Sequence, residues 1–299
     1  MEIALWGGSD ATTVATVVER VQAAAADGFG ALWLPQTASI DALTALAVAA
    51  HAVPGIRLGT AVVPIQGRHP IPLAQQALTL ADVAGPGRIT LGVGVTHAVV
   101  SEHWYGIPYR GIVDVCAEEL EALSALLGEQ RQVDLAGAHL TARITLSVAG
   151  PPPGLVVAAL GPRMLDLAGR WADGTVTWMT GVRTLGSEVV PRLRAAAAAA
   201  GRPEPRVVVG LPVCVTDDVA GARQRLSGSM SGAAQMPSYR RMVAAEGVAE
   251  PVDIALIGDE DAVGARIDAL AAAGATELLA NISGDEGERS RTRAYLARR

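Results

Sequence analysis

The chain has 299 residues, half of them hydrophobic and 18% charged, with a formal net charge of −6. This composition supports a large core, argues against disorder, and makes nucleic acid a poor partner. No apolar run reaches the ~18 residues of a membrane span, and all 24 basic residues are arginine, which rules out a lysine Schiff base and a Walker P-loop.

The N-terminal "MEIALWGGSD" reads as a short apolar strand without a basic flank, not as a signal peptide. Cys116 and Cys214 fall in segments of helical and strand character. Two reduced core thiols, and hence a cytoplasmic location, are expected. Short β-rich runs then alternate with Ala/Leu-rich segments of helical period. "EIALWGG" is strand one and Thr12 to Ala26 its helix. "ALWLP" is strand two, followed by a helix from Asp41 to His51. "IRLGTAVVP" is strand three, followed by a helix from Pro72 to Ala84. "RITLGVGV" is strand four, and Ile112 to Leu127 its helix.

From Gln132 to Gly150 the rhythm breaks, and the alternation in "QVDLAGAHLTARITL" predicts a β-hairpin insertion after helix four. "LVVAAL" is strand five, with a helix from Pro162 to Trp171. "GTVTWM" is strand six, with a helix from Thr184 to Ala200. "RVVVGLPVCVT" is strand seven. A loop or helix insertion follows it, and its Gly/Ser/Met-rich part, about Ser227 to Pro237, is the expected mobile loop. "IGDEDAVGARIDALAAAG" is a helix with an acidic start, "TELLANI" is strand eight, and the tail is a last helix. Eight strand–helix units predict a (β/α)8 TIM barrel occupying residues 1–299 as a single domain. The rival doubly wound sheet needs a G-x-G-x-x-G turn after strand one, which "LWGGSDAT" lacks.

In such a barrel, chemistry sits where strands end. That rule selects Gly7-Gly8, Pro35-Gln36, Thr60-Ala61-Val62, Val95-Thr96-His97, Leu160 to Arg163, Thr177-Trp178 and Leu279 to Ser283. The glycines of strand four, Gly92 and Gly94, either relieve crowding inside the barrel or let a flat ligand lie on the backbone. His97 is either a loop histidine tying down a carbonyl or a group facing that ligand. Trp104, farther along the loop, is expected to pack rather than bind. "LGPRM" is either a plain Gly-Pro helix start or a phosphate seat formed by free helix amides and Arg163. The five histidines show no metal-binding spacing, so no metal site is expected. A barrel using a bound organic cofactor remains.

The run "GIRLGTAVVPIQGRHPIPLAQQALTLADVAGPGRITLGVGVTH", with "LVVAALGPRMLDLAGRWADGTVTW" and "IGDEDAVGARIDALAAAGATEL", resembles the bacterial-luciferase-like superfamily. It is most similar to the actinobacterial oxidoreductases that use the deazaflavin coenzyme F420. The resemblance implies a deazaflavin over the strand ends, exchanging a hydride with a small-molecule substrate. It implies ring support by Thr60, Ala61 and Val62, with a non-prolyl cis peptide at Ala61–Val62. Gly94, Val95, Thr96 and His97 would line the ring and its tail. Leu160, Gly161, Pro162 and Arg163 would form the phosphate side, with Trp178 also lining the cofactor. On this basis the deazaflavin is expected to be what excludes the missing Cβ atoms of strand four.

Related alcohol and sugar-phosphate dehydrogenases carry an acid or histidine where this chain has Gln36, and a glutamate near His97. Gln36 and His97 are therefore the expected catalytic residues, and reduction the expected direction. A monooxygenase using flavin mononucleotide (FMN) and a non-catalytic flavin or deazaflavin binder are the alternatives. A homodimer without nucleic-acid or membrane partners is expected.

Overall fold

The computed structural model describes residues 1–299, the side chains of residues 233 and 234 excepted. Eight parallel strands form the barrel: β1 (Glu2–Trp6), β2 (Ala31–Leu34), β3 (Arg57–Thr60), β4 (Ile89–Gly94), β5 (Gly154–Ala158), β6 (Gly174–Trp178), β7 (Arg206–Val215) and β8 (Glu277–Ile282). Each pairs with the next, and β8 pairs with both β1 and β7, so the sheet closes without an edge. The helices around it are α1 (Val14–Ala26), α2 (Ala42–Ala52), α3 (Pro70–Ala84), α4 (Ile112–Leu127), α5 (Pro162–Trp171), α6 (Val190–Ala199), α7 (Val219–Ala234), α8 (Pro237–Glu246), α9 (Glu260–Ala272) and α10 (Glu286–Leu296).

Two apolar layers result. Outward-facing strand residues such as Leu32, Leu58, Leu91 and Val157 pack under the helices. Inside the barrel lie Ala4, Ala31, Trp33, Val156, Val176, Val208 and Leu279. Glycine makes space for the indoles. A Cβ on Gly59 would lie 2.6 Å from the Trp33 ring, and one on Gly210 would lie 2.6 Å from Trp178. The closed, N-terminal end is polar. Trp33 Nε1 donates to Glu277 Oε1 at 2.8 Å, and Arg206 donates to Glu277 Oε2 at 2.9 Å and to Thr90 Oγ1 at 3.1 Å. The Glu277 carboxylate is thus buried with its partners in place.

The hairpin insertion forms as expected, Gln132–Ala136 pairing antiparallel with Thr141–Thr145. Three expectations need correction. Strand three does not run unbroken to Pro64. Gly59 pairs with Thr90 and Val63 with Val93, so three residues, 60 to 62, oppose two on β4, and the chain bulges. The helix after strand six becomes regular only at Val190. Pro191 has no N–H to donate, and a π turn, Leu185–Val189, precedes it. The Gly/Ser/Met-rich segment expected to be a mobile loop is mostly helix α7. Ala222 and Leu226 are buried against Cys214 and Val252, and that packing outweighs the poor helix propensity of Gly228 and Gly232.

Candidate functional site

The bulge after β3 shapes the open end of the barrel. Thr60 is buried, and its Oγ1 both donates to Gly92 O and accepts from Gly92 N, each at 2.8 Å. The hydroxyl thereby replaces a ladder contact that the bulge removes. The Ala61–Val62 peptide is cis, as the resemblance implied. Val62 is half-buried and turns its methyls toward Gly92 and Gly94.

The crowding of strand four comes from the protein itself. A Cβ on Gly92 would lie 1.9 Å from the Thr60 carbonyl oxygen, and one on Gly94 would lie 2.7 Å from the Ala158 Cβ. The expectation that a ligand excludes these Cβ atoms is therefore corrected: the bulge and β5 exclude them. What remains is an apolar patch in which Val62 and Ala158 flank Gly94, with Trp6 against Trp178 at a centroid distance of 4.9 Å and the rings tilted by 35°. Asn281, half-buried and next to last in β8, follows the inward-facing register of Glu277 and Leu279.

His97 stands just past β4 with Val95 and Thr96, all three half-buried. Burial pushes its pKa below 6.5, so the imidazole is neutral at pH 7. The Tyr239 ring meets it edge-on at 5.7 Å, and burial pushes that phenol's pKa up. Thr96 N donates to Gln66 Oε1 at 3.0 Å. The buried Nε2 of Gln66 has no partner among the described residues. Gln36 uses its oxygen to accept from Ala42 N at 2.7 Å, at the start of α2. Its N–H groups make no side-chain hydrogen bond among the described residues.

On the opposite side, Gly161 is the N-cap of α5, without a side-chain cap, and Pro162 follows at the first helical position. Arg163, in the first turn of α5, is exposed and pairs with Asp114 of α4. Arg241 of α8 comes closer. It donates to Leu160 O at 3.0 Å, pairs with Glu188 at 3.1 Å, and lies 3.6 Å from where a Gly161 Cβ would be.

Helix α8 is thus folded onto the loops after β4, β5 and β6. Met242 receives a bond from Thr180, and Glu246 accepts from Arg183 N and Thr184 N at 3.0 and 2.8 Å. Sequence reasoning missed Gln66, a neutral amide in the loop after β3, and also Tyr239 and Arg241, since no spacing links an insertion to the strand ends it covers. Trp104, expected to pack, is 59% exposed at the end of a π turn, Val100–Trp104. It borders an open depression of about 640 Å3 with Ser9, Asp10, Thr12, Thr37, Ser39 and Ile40.

The residues present fit a flat, largely apolar ring with an anionic tail. The patch around Gly94 is apolar, Gln66 has a spare donor, and the α5 start is uncapped beside a cationic side chain. Among the described residues no cluster of His, Cys, Asp and Glu has the makings of a metal site, and both cysteines are buried, with raised pKa values. No helix is long and apolar enough to cross a membrane.

The closed (β/α)8 barrel, with its candidate residues at the C-terminal strand ends, defines the class of TIM-barrel proteins. The model of one family within that class, the luciferase-like monooxygenases, matches residues 1–277, and the chain belongs to that family. It is 31% identical over 224 residues to an F420-dependent glucose-6-phosphate dehydrogenase of Beutenbergia cavernae, covering 73% of this chain and 65% of that one. It is 32% identical over 189 residues to an F420-dependent hydroxymycolic acid dehydrogenase of Mycobacterium tuberculosis, covering 60% and 50%. The matches thus span less than two thirds of these relatives' own length. Among solved structures, an F420-dependent secondary alcohol dehydrogenase bound to an F420-acetone adduct superposes with a TM-score of 0.83. It is 19% identical, and the match covers 100% of this chain and 99% of that one, a likeness of fold.

Proposed function

We propose that this chain is a deazaflavin-dependent oxidoreductase that uses coenzyme F420 to reduce a small organic substrate. The observation that carries the reading is the apolar patch of Val62, Gly94 and Ala158 at the end of β5, a few residues before the uncapped start of α5. The names of the curated relatives point to the same cofactor.

When bound and reduced, the deazaflavin supplies a hydride. The chain's residues do the rest. Thr60 to Val62 and Gly94 to Thr96 hold the ring, while Leu160 to Pro162, with Arg241 or Arg163, hold the tail phosphate. Gln36, with only N–H groups free, cannot act as a base and serves as a donor to substrate oxygen. His97 donates a hydrogen bond when neutral and delivers a proton when protonated, as negative charge develops on the substrate. Burial of His97 keeps its proton-donating form scarce above pH 6.5. An alcohol oxidation would instead need a base; Gln36 does not titrate, which leaves His97 as the candidate. Residues 1–299 act as one domain in this reading, as a homodimer in the cytoplasm of an actinobacterium.

The second reading, an FMN-dependent monooxygenase, draws on the family description itself. Titration of the purified protein with F420 and with FMN separates the two.

A further inference from the structure

We propose that the depression under Trp104 is the substrate pocket, and that it takes an uncharged, oxygen-bearing molecule with one apolar face, not a phosphate ester. This rests on the oxidoreductase reading above and specifies its substrate.

The depression is formed by the loops after β1 and β2 and is bordered on its far side by Trp104, from the loop after β4. Its Thr37 follows Gln36 in the chain, and Trp104 stands on the loop that carries His97. Hydroxyls dominate its polar surface: Ser9, Thr12, Thr37 and Ser39. Ser39 already donates to Ala11 O, and Thr12 follows Ala11 at the start of α1. Ser9 and Thr37 make no side-chain hydrogen bond among the described residues. They can meet a carbonyl or hydroxyl without any charge.

The apolar part is Ile40, Ala38 and the indole of Trp104. An indole that is 59% exposed leaves a large apolar surface in water unless something covers it. Trp104 is the last residue of the π turn, and it lines the depression rather than the core.

Charge decides against phosphate. Among the described residues lining the depression there is no arginine or histidine, and the chain has no lysine. Asp10 is the one charged group there. The nearest cation, Arg20, is already used: both its terminal nitrogens bond Asp10 at 2.9 Å, and one also bonds Gly7 O at 2.6 Å. A phosphate dianion would sit beside a carboxylate with no free counter-charge, which Coulomb repulsion disfavours.

The test is ligand-observed saturation-transfer NMR on the purified full chain, with an equimolar mixture of 2-cyclohexen-1-one and glucose 6-phosphate. Saturation transfer to the enone and none to the sugar phosphate is expected. The enone signal should fall at least fivefold in Trp104→Ala and at least twofold in Thr37→Val, an exposed position where folding is not at risk. F420 affinity should be the same in all three proteins. Equal or stronger transfer to the sugar phosphate overturns the proposal, as does an enone signal unchanged in Trp104→Ala. The expected pattern in a protein that binds no F420 would refute the cofactor reading and leave the pocket assignment standing.

Discussion

Gly92→Ala tests whether protein backbone, rather than a ligand, sets the sequence of strand four. The new Cβ would sit 1.9 Å from the Thr60 carbonyl oxygen, and both strands are held in a closed barrel, so neither withdraws freely. Overpacking of this kind costs about 1–3 kcal/mol. Separating the strands also breaks the two buried bonds between Thr60 Oγ1 and Gly92, at about 0.5–1.5 kcal/mol each. The total is about 2–6 kcal/mol, a large share of the ~5–15 kcal/mol that stabilises a typical domain. Urea unfolding followed by circular dichroism measures it directly. Gly228→Ala is the control, since its Cβ meets nothing within 4 Å on helix α7, and it should stabilise slightly through helix propensity. The Cγ1 of Val62 lies 3.2 Å from the same Cβ position, so the apolar patch should distort and F420 affinity fall along with stability. A Gly92→Ala protein within ~0.5 kcal/mol of wild type, the range of neutral surface changes, would refute the packing argument.

His97→Ala should slow single-turnover reduction of an enone by reduced F420 by about 10²-fold, with little change in cofactor affinity. In wild type the rate should rise as pH falls below 6.5, where the buried imidazole becomes protonated, and this rise should vanish in the variant; an unchanged rate would leave His97 a structural residue. Arg241→Ala should weaken F420 binding by about tenfold, roughly 1.4 kcal/mol, and more than Arg163→Ala, because Arg241 lies against Leu160 and the Gly161 cap. The reverse order in fluorescence titrations would return the phosphate seat to Arg163. Glu119 is buried with one oxygen unpartnered, and burial pushes its pKa up to about 8 from 4.5. The folded chain holds that proton more tightly than the unfolded chain, so stability should fall as pH rises from 4.5 to about 8. The loss is at most ~5 kcal/mol. In Glu119→Gln most of this decline should disappear from urea midpoints taken at pH 5 and pH 8, and equal pH dependence in both proteins would contradict it.

The barrel was legible because each strand–helix unit carries its own period and its own turn. Ile112–Leu127 and Pro162–Trp171 even match residue for residue, since Gly128 and Gly161 mark the boundaries. The bulge after β3 was not readable from alternation, because "GTAVVP" stays apolar through it; only the family resemblance placed it. The glycines of strand four were rightly singled out, but their neighbours were long-range: Thr60 and Ala158 lie 32 and 64 positions from the glycines they crowd. The contribution of α8 was hidden for a related reason. Tyr239 and Arg241 reach His97 and Leu160 only after the insertion folds back, and nothing in a Gly/Ser/Met-rich segment encodes that path.

The most direct test of the account is equilibrium titration of the purified protein with F420 and with FMN, each followed by cofactor fluorescence. A saturable F420 curve at least tenfold tighter than that for FMN is predicted. Saturable FMN binding with no measurable affinity for F420 would contradict the account and favour the monooxygenase reading.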